Sequence, residues 1–374
     1  MGHPVLEVDL GIIKKNAAIV KRLCDESGIE ASAVIKGFNA LDDITSSIVE
    51  SGYTCVASSR IPHLKAVKEK GYPVETMGLR VPMISEVHEV VEFCDICLCS
   101  ELETLRLLDR EAAERHKTLK VILMRDLGDL REGIIDGERF VETACAIERD
   151  HPHTHLLGVG TNLGCYGSVK PTVENLSLLV SDAQEIERAI GRELEVVSGG
   201  GSTSLYLAIR GMMPRGINHL RLGGVLLLPS EVLDLENDLP GMSDEGLILK
   251  AEIIEIGEKP TYPIGELGTD CFGSVGAYED LGVRRRALLA LGAFDIGNHK
   301  KLIPLDKGIN VLGGSSDHTI VDIHDSIREY RLGDAVSFTL FYQAMLFATA
   351  NNFVEKKFKR LRSEERRVGK ECRS

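Results

Sequence analysis

The sequence predicts an α/β fold, with an N-terminal (β/α)8 barrel of the TIM type over residues 1–240 and a C-terminal β domain over 241–355. Two observations carry this. Between Ser32 and Leu222, eight short apolar segments alternate with mostly helical patterns, the rhythm of parallel strands joined by crossover helices. Beyond about Asp244 the segments become strand-like and are separated by Gly, Pro and Asp turns with little helix between them, which reads as a β domain.

A first helix runs from Ile12 to Gly28: Ile12, Ile13, Ala17, Ile19, Val20 and Leu23 fall largely on one face, and Gly28 stops it. The barrel strands are expected at Ser32–Lys36, Thr54–Ala57, Val74–Leu79, Ile96–Ser100, Lys120–Arg125, Leu156–Thr161, Glu195–Ser198 and Asn218–Leu222. Ile61–Lys70, Glu101–His116, Gly137–Arg149 and Val173–Gly191 carry helical patterns between them, and the stretch after Leu79 is short and less regular. In the β domain the strands are expected at Leu247–Ile256, Arg286–Leu291, Ile309–Gly313, Thr319–Ile323 and Asp334–Leu340. There is no internal repeat and no low-complexity linker.

With 374 residues and a formal charge of −13, the chain can bury a large core and is a poor match for nucleic acid or an anionic membrane surface. No apolar run approaches the roughly 20 residues that span a bilayer, and the N-terminus lacks the pattern of a signal peptide. A cytoplasmic location and reduced cysteines are the expectation. Cys94, Cys97 and Cys99 lie on a strand pattern and read as core residues, and His151, His153 and His155 lie in a Pro-containing loop, so no metal site is expected. Residues 362–374 break with the texture of the rest. They resemble a translated adapter oligonucleotide and are expected to be a non-native tail, with a solvated basic tail as the alternative.

Lys36 closes the apolar run from Ala31, and a later strand ends in the loop Ser198-Gly-Gly-Gly-Ser-Thr-Ser204. An apolar strand end lowers the pKa of a lysine, so that its neutral amine can condense with an aldehyde. Backbone N–H groups in a glycine turn can cradle a phosphate. Together they point to pyridoxal phosphate. The loop lacks the third glycine of a dinucleotide fingerprint, and a lone lysine at a strand end is otherwise an ordinary snorkelling residue. Lys36, Arg131, Asn162, Ser202 and Arg221 all fall at or soon after expected strand ends, where barrel enzymes collect their catalytic groups.

On these residues the chain resembles the alanine racemase-type (fold type III) pyridoxal phosphate enzymes over roughly residues 4–350. Val34-Ile-Lys36 matches the anchor lysine of that family, and Asp126–Gly133 is similar to the segment whose arginine, here Arg131, reaches the active site. Gly160-Thr-Asn162-Leu-Gly164 corresponds to the segment beside the cofactor ring. Asn218-His-Leu-Arg221-Leu-Gly223-Gly224 resembles the segment whose arginine faces the pyridine nitrogen. Leu127–Gly133, Ser198–Gly201 and Ser315-Ser-Asp-His318 look most like the ornithine racemase branch. The resemblance implies that Lys36 anchors the cofactor, that Asn162, Gly201, Ser202, Thr203, Arg221, Gly223 and Gly224 hold it, and that Arg131 reaches the active site; Ser316 and His318 are expected to bind the amino acid with it. It also implies a homodimer whose active sites are shared between chains.

The chain departs from alanine racemases where their two tyrosines stand: Ala40 follows the lysine and Ala293 replaces the β-domain tyrosine. The second acid/base is therefore sought in Cys271, with Tyr278 and His318 as alternatives. The two alanines leave room for a larger substrate, and Asp270 is the first acidic residue expected to meet a side-chain ammonium. The expected activity is racemisation of ornithine or another basic or small amino acid. Two other readings stay open, a fold type III decarboxylase of basic amino acids and a non-catalytic pyridoxal phosphate carrier, and the large β domain counts against the carrier.

Overall fold

The computed structural model describes residues 4–232 and 239–360; the expected tail, 362–374, lies outside the described residues. The chain forms two compact units, one spanning Lys14–Met242 and the other combining the residues up to Ile13 with those from Ser243 onward.

The first unit is a closed barrel of eight parallel strands. Numbered along the chain after β1 (Val5–Asp9), which belongs to the second unit, they are β2 (Glu30–Val34), β3 (Cys55–Ser58), β4 (Glu75–Gly78), β5 (Ile96–Cys99), β6 (Leu119–Arg125), β7 (Thr154–Thr161), β8 (Val196–Ser198) and β9 (His219–Leu222). They pair in chain order, and β9 closes on β2 with Ser32 opposite Arg221 and Ala33 opposite Leu222. Val34, Cys55, Ala57, Met77, Ile96, Leu98, Ile122, Met124 and Leu157 pack together as a core cluster. Both faces of a barrel strand are covered, so the strands read as near-continuous apolar runs. The helices between them are amphipathic. In Val173–Ile190, the buried Leu176, Leu179, Ala183 and Ile186 recur at helical spacing; Thr172 caps the start and Gly191, with φ 76°, ends it.

The second unit is an antiparallel sheet built on the long β10 (Leu247–Pro260), with β11 (Val283–Leu289), β12 (Leu302–Pro304), β13 (Asn310–Gly314), β14 (Thr319–Asp322) and β15 (Ala335–Leu340) in the order β12-β15-β10-β11-β14-β13. Along β10 the side chains of Leu247, Leu249, Ala251 and Ile253 are buried at every second position. The strand β1 pairs antiparallel with β10 and parallel with β16 (Glu355–Lys359).

The expected division at residue 240 thus needs one correction. Val5–Asp9 is a strand of the second sheet, because its partners at 247–250 and 355–359 supply the backbone groups it must satisfy. The two units meet in sequence inside the helix Leu10–Glu26. The first barrel strand ends at Val34 rather than Lys36, since the chain turns into a short 3-10 segment, Lys36–Phe38. The second unit also carries a helix, Tyr342–Ala350. Among the described residues no helix is long and apolar enough to cross a membrane.

Candidate active site

Lys36 stands two residues beyond β2, half-buried, with Ile35 and Phe38 packed into the core on either side. Burial holds its pKa below the ordinary lysine value; the Cys165 and Glu132 charges oppose that shift, and Arg131 and Arg221 reinforce it. The turn that presents it is conformationally unusual, because Asn39 and Ala40 both have positive φ, 53° and 49°. Side-chain pairing supports that turn: His63 Nε2 lies 3.1 Å from Asn39 Oδ1, and its Nδ1 lies 3.0 Å from Ser58 Oγ. The lowered pKa makes the neutral amine, which can act as a nucleophile or as a base, easier to reach than for an ordinary lysine.

The chain ends of β8 and β9 lie side by side. Arg221 N–H donates to Gly200 O and Gly199 N–H to His219 O, both at 2.9 Å. Gly223 N–H donates to Ser202 Oγ at 3.3 Å, and Thr203 Oγ1 donates to Leu163 O at 3.1 Å. A Cβ at Gly223 would sit 3.0 Å from Val34 Cβ, so only glycine lets this loop approach β2 closely. Ser202–Ser204 and Gly224–Leu227 each open a helical turn at this point, and the first N–H groups of a turn have no acceptor inside it. At the end of β7, Thr161 Oγ1 and Asn162 Nδ2 are buried without a hydrogen-bond partner among the described residues. Buried polar atoms of that kind call for a ligand. A glycine-lined cradle, a lysine whose pKa burial lowers and orphaned donors fit an aldehyde cofactor that carries a phosphate.

Behind the cradle runs a buried polar chain. Arg221, expected at its strand end, lies within β9 and is 5% exposed. Its Nη1 donates to Ser198 Oγ and its Nη2 to Thr161 O at 2.6 Å. Ser198 Oγ lies 2.8 Å from His219 Nδ1, and His219 Nε2 lies 2.8 Å from Ser32 Oγ. A guanidinium can only donate, so Ser198 accepts from Arg221. Its hydroxyl keeps one proton and a second lone pair, so either tautomer of His219 completes the chain from Ser198 to Ser32. Burial, with Arg221 adding to it, pushes the His219 pKa down to about 3, which keeps the ring neutral. Burial likewise lowers Arg221, to about 10, leaving it charged at neutral pH.

The loop after β6 carries Arg131. Asp126 Oδ1 accepts from Gly128 N and Leu130 N at 2.8 and 3.2 Å. The buried Asp129 carboxylate accepts from the backbone N–H groups of Gly164, Cys165, Tyr166 and Val169 at 2.9–3.3 Å. One carboxylate thus ties the loop bearing Arg131 to the loop that follows Asn162, and these bonds hold its pKa below the usual range despite burial. Arg131 itself pairs with Glu132.

The remaining expected residues belong to the second unit. Cys271 is exposed in a turn organised by Asp270, whose Oδ1 accepts from Phe272 N at 2.9 Å and Ser274 N at 2.8 Å. Ser316 and His318 are exposed in the turn between β13 and β14; Ser316 Oγ donates to Asp317 Oδ2 at 2.6 Å, and His318 O accepts from Ser315 N at 2.8 Å. Among the described residues no group of three or more His, Cys, Asp or Glu is placed to hold a metal.

Within the barrel, the structure brings Lys36, Arg131 and Arg221 into one electrostatic neighbourhood that also holds Cys165 and Glu132. Sequence reasoning missed Ser198, His219, Asp129 and Glu132. The spacing of His219 and Arg221, two apart on one strand, was the available signal for the first two, since it puts both on the same face.

Residues 8–230 match the model of the family described as alanine racemase, N-terminal domain. An ornithine racemase of Acetoanaerobium sticklandii is 40% identical over 354 residues, 95% of this chain and 99% of that protein. A lysine racemase of Thermotoga maritima is 34% identical over 356 residues, 95% and 98% of the two chains. The solved alanine racemase of Clostridium difficile superposes with a TM-score of 0.69 at 16% identity, covering 96% of each chain.

Proposed function

The chain belongs to the alanine racemase family, and from that premise we propose that it is a pyridoxal phosphate-dependent racemase of basic amino acids, with ornithine the preferred substrate. The observation that carries the cofactor reading is Lys36, its pKa lowered by burial beyond a barrel strand end and near Arg221, in a barrel whose β8 and β9 ends form a glycine-lined cradle. The relatedness to an ornithine racemase along nearly the whole chain supports the substrate. Replacement of the family's two tyrosines by Ala40 and Ala293 adds the room that a longer side chain needs.

Bound here, pyridoxal phosphate would supply an electron-withdrawing ring that acidifies the substrate Cα–H. Lys36 anchors it and exchanges a proton with Cα on one face, a role that its lowered pKa suits. Ser202 and Thr203, with the amides near Gly201, Gly223 and Gly224, would hold the phosphate, and the unpartnered amide of Asn162 would be free to donate to the ligand. Arg221 would face the ring nitrogen as a donor that cannot accept, and the Ser198–His219–Ser32 chain holds its guanidinium in place. Arg131 takes the substrate carboxylate through a bidentate contact.

Racemisation needs a second acid/base on the opposite face of Cα. We assign it to Cys271 of the partner subunit in a homodimer with shared active sites. Mixing K36A and C271A chains tests this directly: recovered activity in the heterodimer supports the shared site, and none refutes it. The substrate reading is tested by chiral analysis of products over a panel of L-amino acids with the cofactor present. D-ornithine or D-lysine formed faster than D-alanine is the expected result. Release of carbon dioxide and a diamine without enantiomer formation would overturn it.

A further inference from the structure

Glu132 follows Arg131 in the loop after β6, and the two side chains form a bidentate ion pair. Arg131 Nη2 donates to Glu132 Oε1 at 2.5 Å and its Nε to Oε2. The carboxylate is the better-buried partner, with its side chain 18% exposed against 42% for Arg131. Its charge also favours the charged forms of Lys36 and Arg221, which places it in their neighbourhood. Its place is set on both sides. Asp129, three residues earlier, is held by four backbone N–H groups of the neighbouring loop. Gly133, immediately after, has φ 122° and lies against Asp126 so closely that a Cβ would come within 2.6 Å of its nitrogen.

A largely buried carboxylate is costly without a cation beside it. Arg131 meets that need while nothing else competes for its guanidinium. An amino acid that draws Arg131 to its α-carboxylate strips Glu132 of its counter-charge. A monoamino acid brings nothing to replace it, whereas a diamino acid brings an ammonium at the end of a flexible chain.

We propose that Glu132 is the specificity-determining residue that receives the side-chain ammonium of a diamino acid while Arg131 receives its α-carboxylate. One internal ion pair is then exchanged for two with the substrate, and the charge of the site stays balanced only for a basic amino acid. Asp270, the acidic residue singled out from sequence, already spends Oδ1 on its own turn. This inference rests on the reading of the chain as a racemase of basic amino acids.

The test compares kcat/KM for ornithine with that for norvaline, the same carbon chain without the terminal ammonium, on cofactor-loaded wild type, E132Q and E132D. Norvaline is the internal standard, so a general loss of cofactor or folding cancels in the ratio. The ornithine-to-norvaline ratio should fall roughly 10- to 100-fold in E132Q, the range for losing a hydrogen bond to a charged group. In E132D the charge remains but reaches one methylene less, so preference should move from ornithine toward lysine; this decides the matter if E132Q does not fold. Wild type that turns over ornithine, with an unchanged ratio in E132Q or an unchanged ornithine-to-lysine ratio in E132D, overturns the role of Glu132 and leaves the substrate reading standing. Wild type that racemises neither ornithine nor lysine overturns both.

Discussion

The neutral His219 makes a prediction about acid stability. It is 4% exposed, and its pKa in the fold is about 3 against an ordinary value of 6.5. The unfolded chain therefore takes up a proton below pH 6.5 while the folded chain refuses it until about pH 3, so stability is complete above 6.5 and is lost as pH falls between those values. Each pH unit in that window removes about 1.4 kcal/mol, which amounts to roughly 2 kcal/mol at pH 5. His63 and His299 are also depressed by burial and act in the same direction. Carboxylates with lowered pKa, such as Asp129 and Asp322, add their loss only at lower pH. Comparing wild type with H219Q cancels those shared contributions. At pH 7 the variant should be less stable, by about 1–3 kcal/mol, because Ser198 and Ser32 lose a partner. At pH 5 the gap should narrow by roughly 2 kcal/mol, because glutamine does not titrate. Denaturant midpoints of the cofactor-free proteins at the two pH values measure it. A gap that stays the same at both would refute a neutral buried imidazole.

Three further outcomes follow from the same structure. Borohydride reduction of the loaded enzyme followed by peptide mapping should place the pyridoxyl group on Lys36, and a label on any other lysine sinks that assignment. Replacing Ser202 and Thr203 together by alanine removes the acceptor for Gly223 N–H and the donor to Leu163 O. Cofactor dissociation should then rise about tenfold or more in a fluorescence titration, and unchanged affinity would mean that the loop serves packing alone. G133A forces a side chain into a backbone with φ 122° and against Asp126 and Arg125. It should cost about 1–3 kcal/mol and raise KM for the amino acid by displacing Arg131, whereas a wild-type KM would argue that Arg131 does not bind substrate.

How far the site could be read from sequence depended on the distance over which each signal acts. The glycine loop at 199–201 and the lysine after Ala31–Ile35 are local patterns, because strand ends and tight turns are set by the residues that form them. The pairing of Arg131 with Glu132 is also local in sequence, yet nothing in the dipeptide says that the carboxylate is the more buried of the two. That follows from the clamp between Asp129 and the loop 164–169, which joins segments some 35 residues apart.

By itself, then, the sequence determined the barrel, the β domain and the residues at the strand ends, since alternating apolar segments and amphipathic helices leave few other ways to bury their faces. Only the tertiary structure decided that Val5–Asp9 serves the second sheet, because strand pairing across some 240 residues leaves no mark in either segment alone. It also decided that Ser32, Ser198, His219 and Arg221 form one chain of hydrogen bonds. Ser32 comes from the first barrel strand and His219 from the last. They touch because the barrel closes, and the low dielectric of its interior keeps that histidine neutral and that arginine fixed.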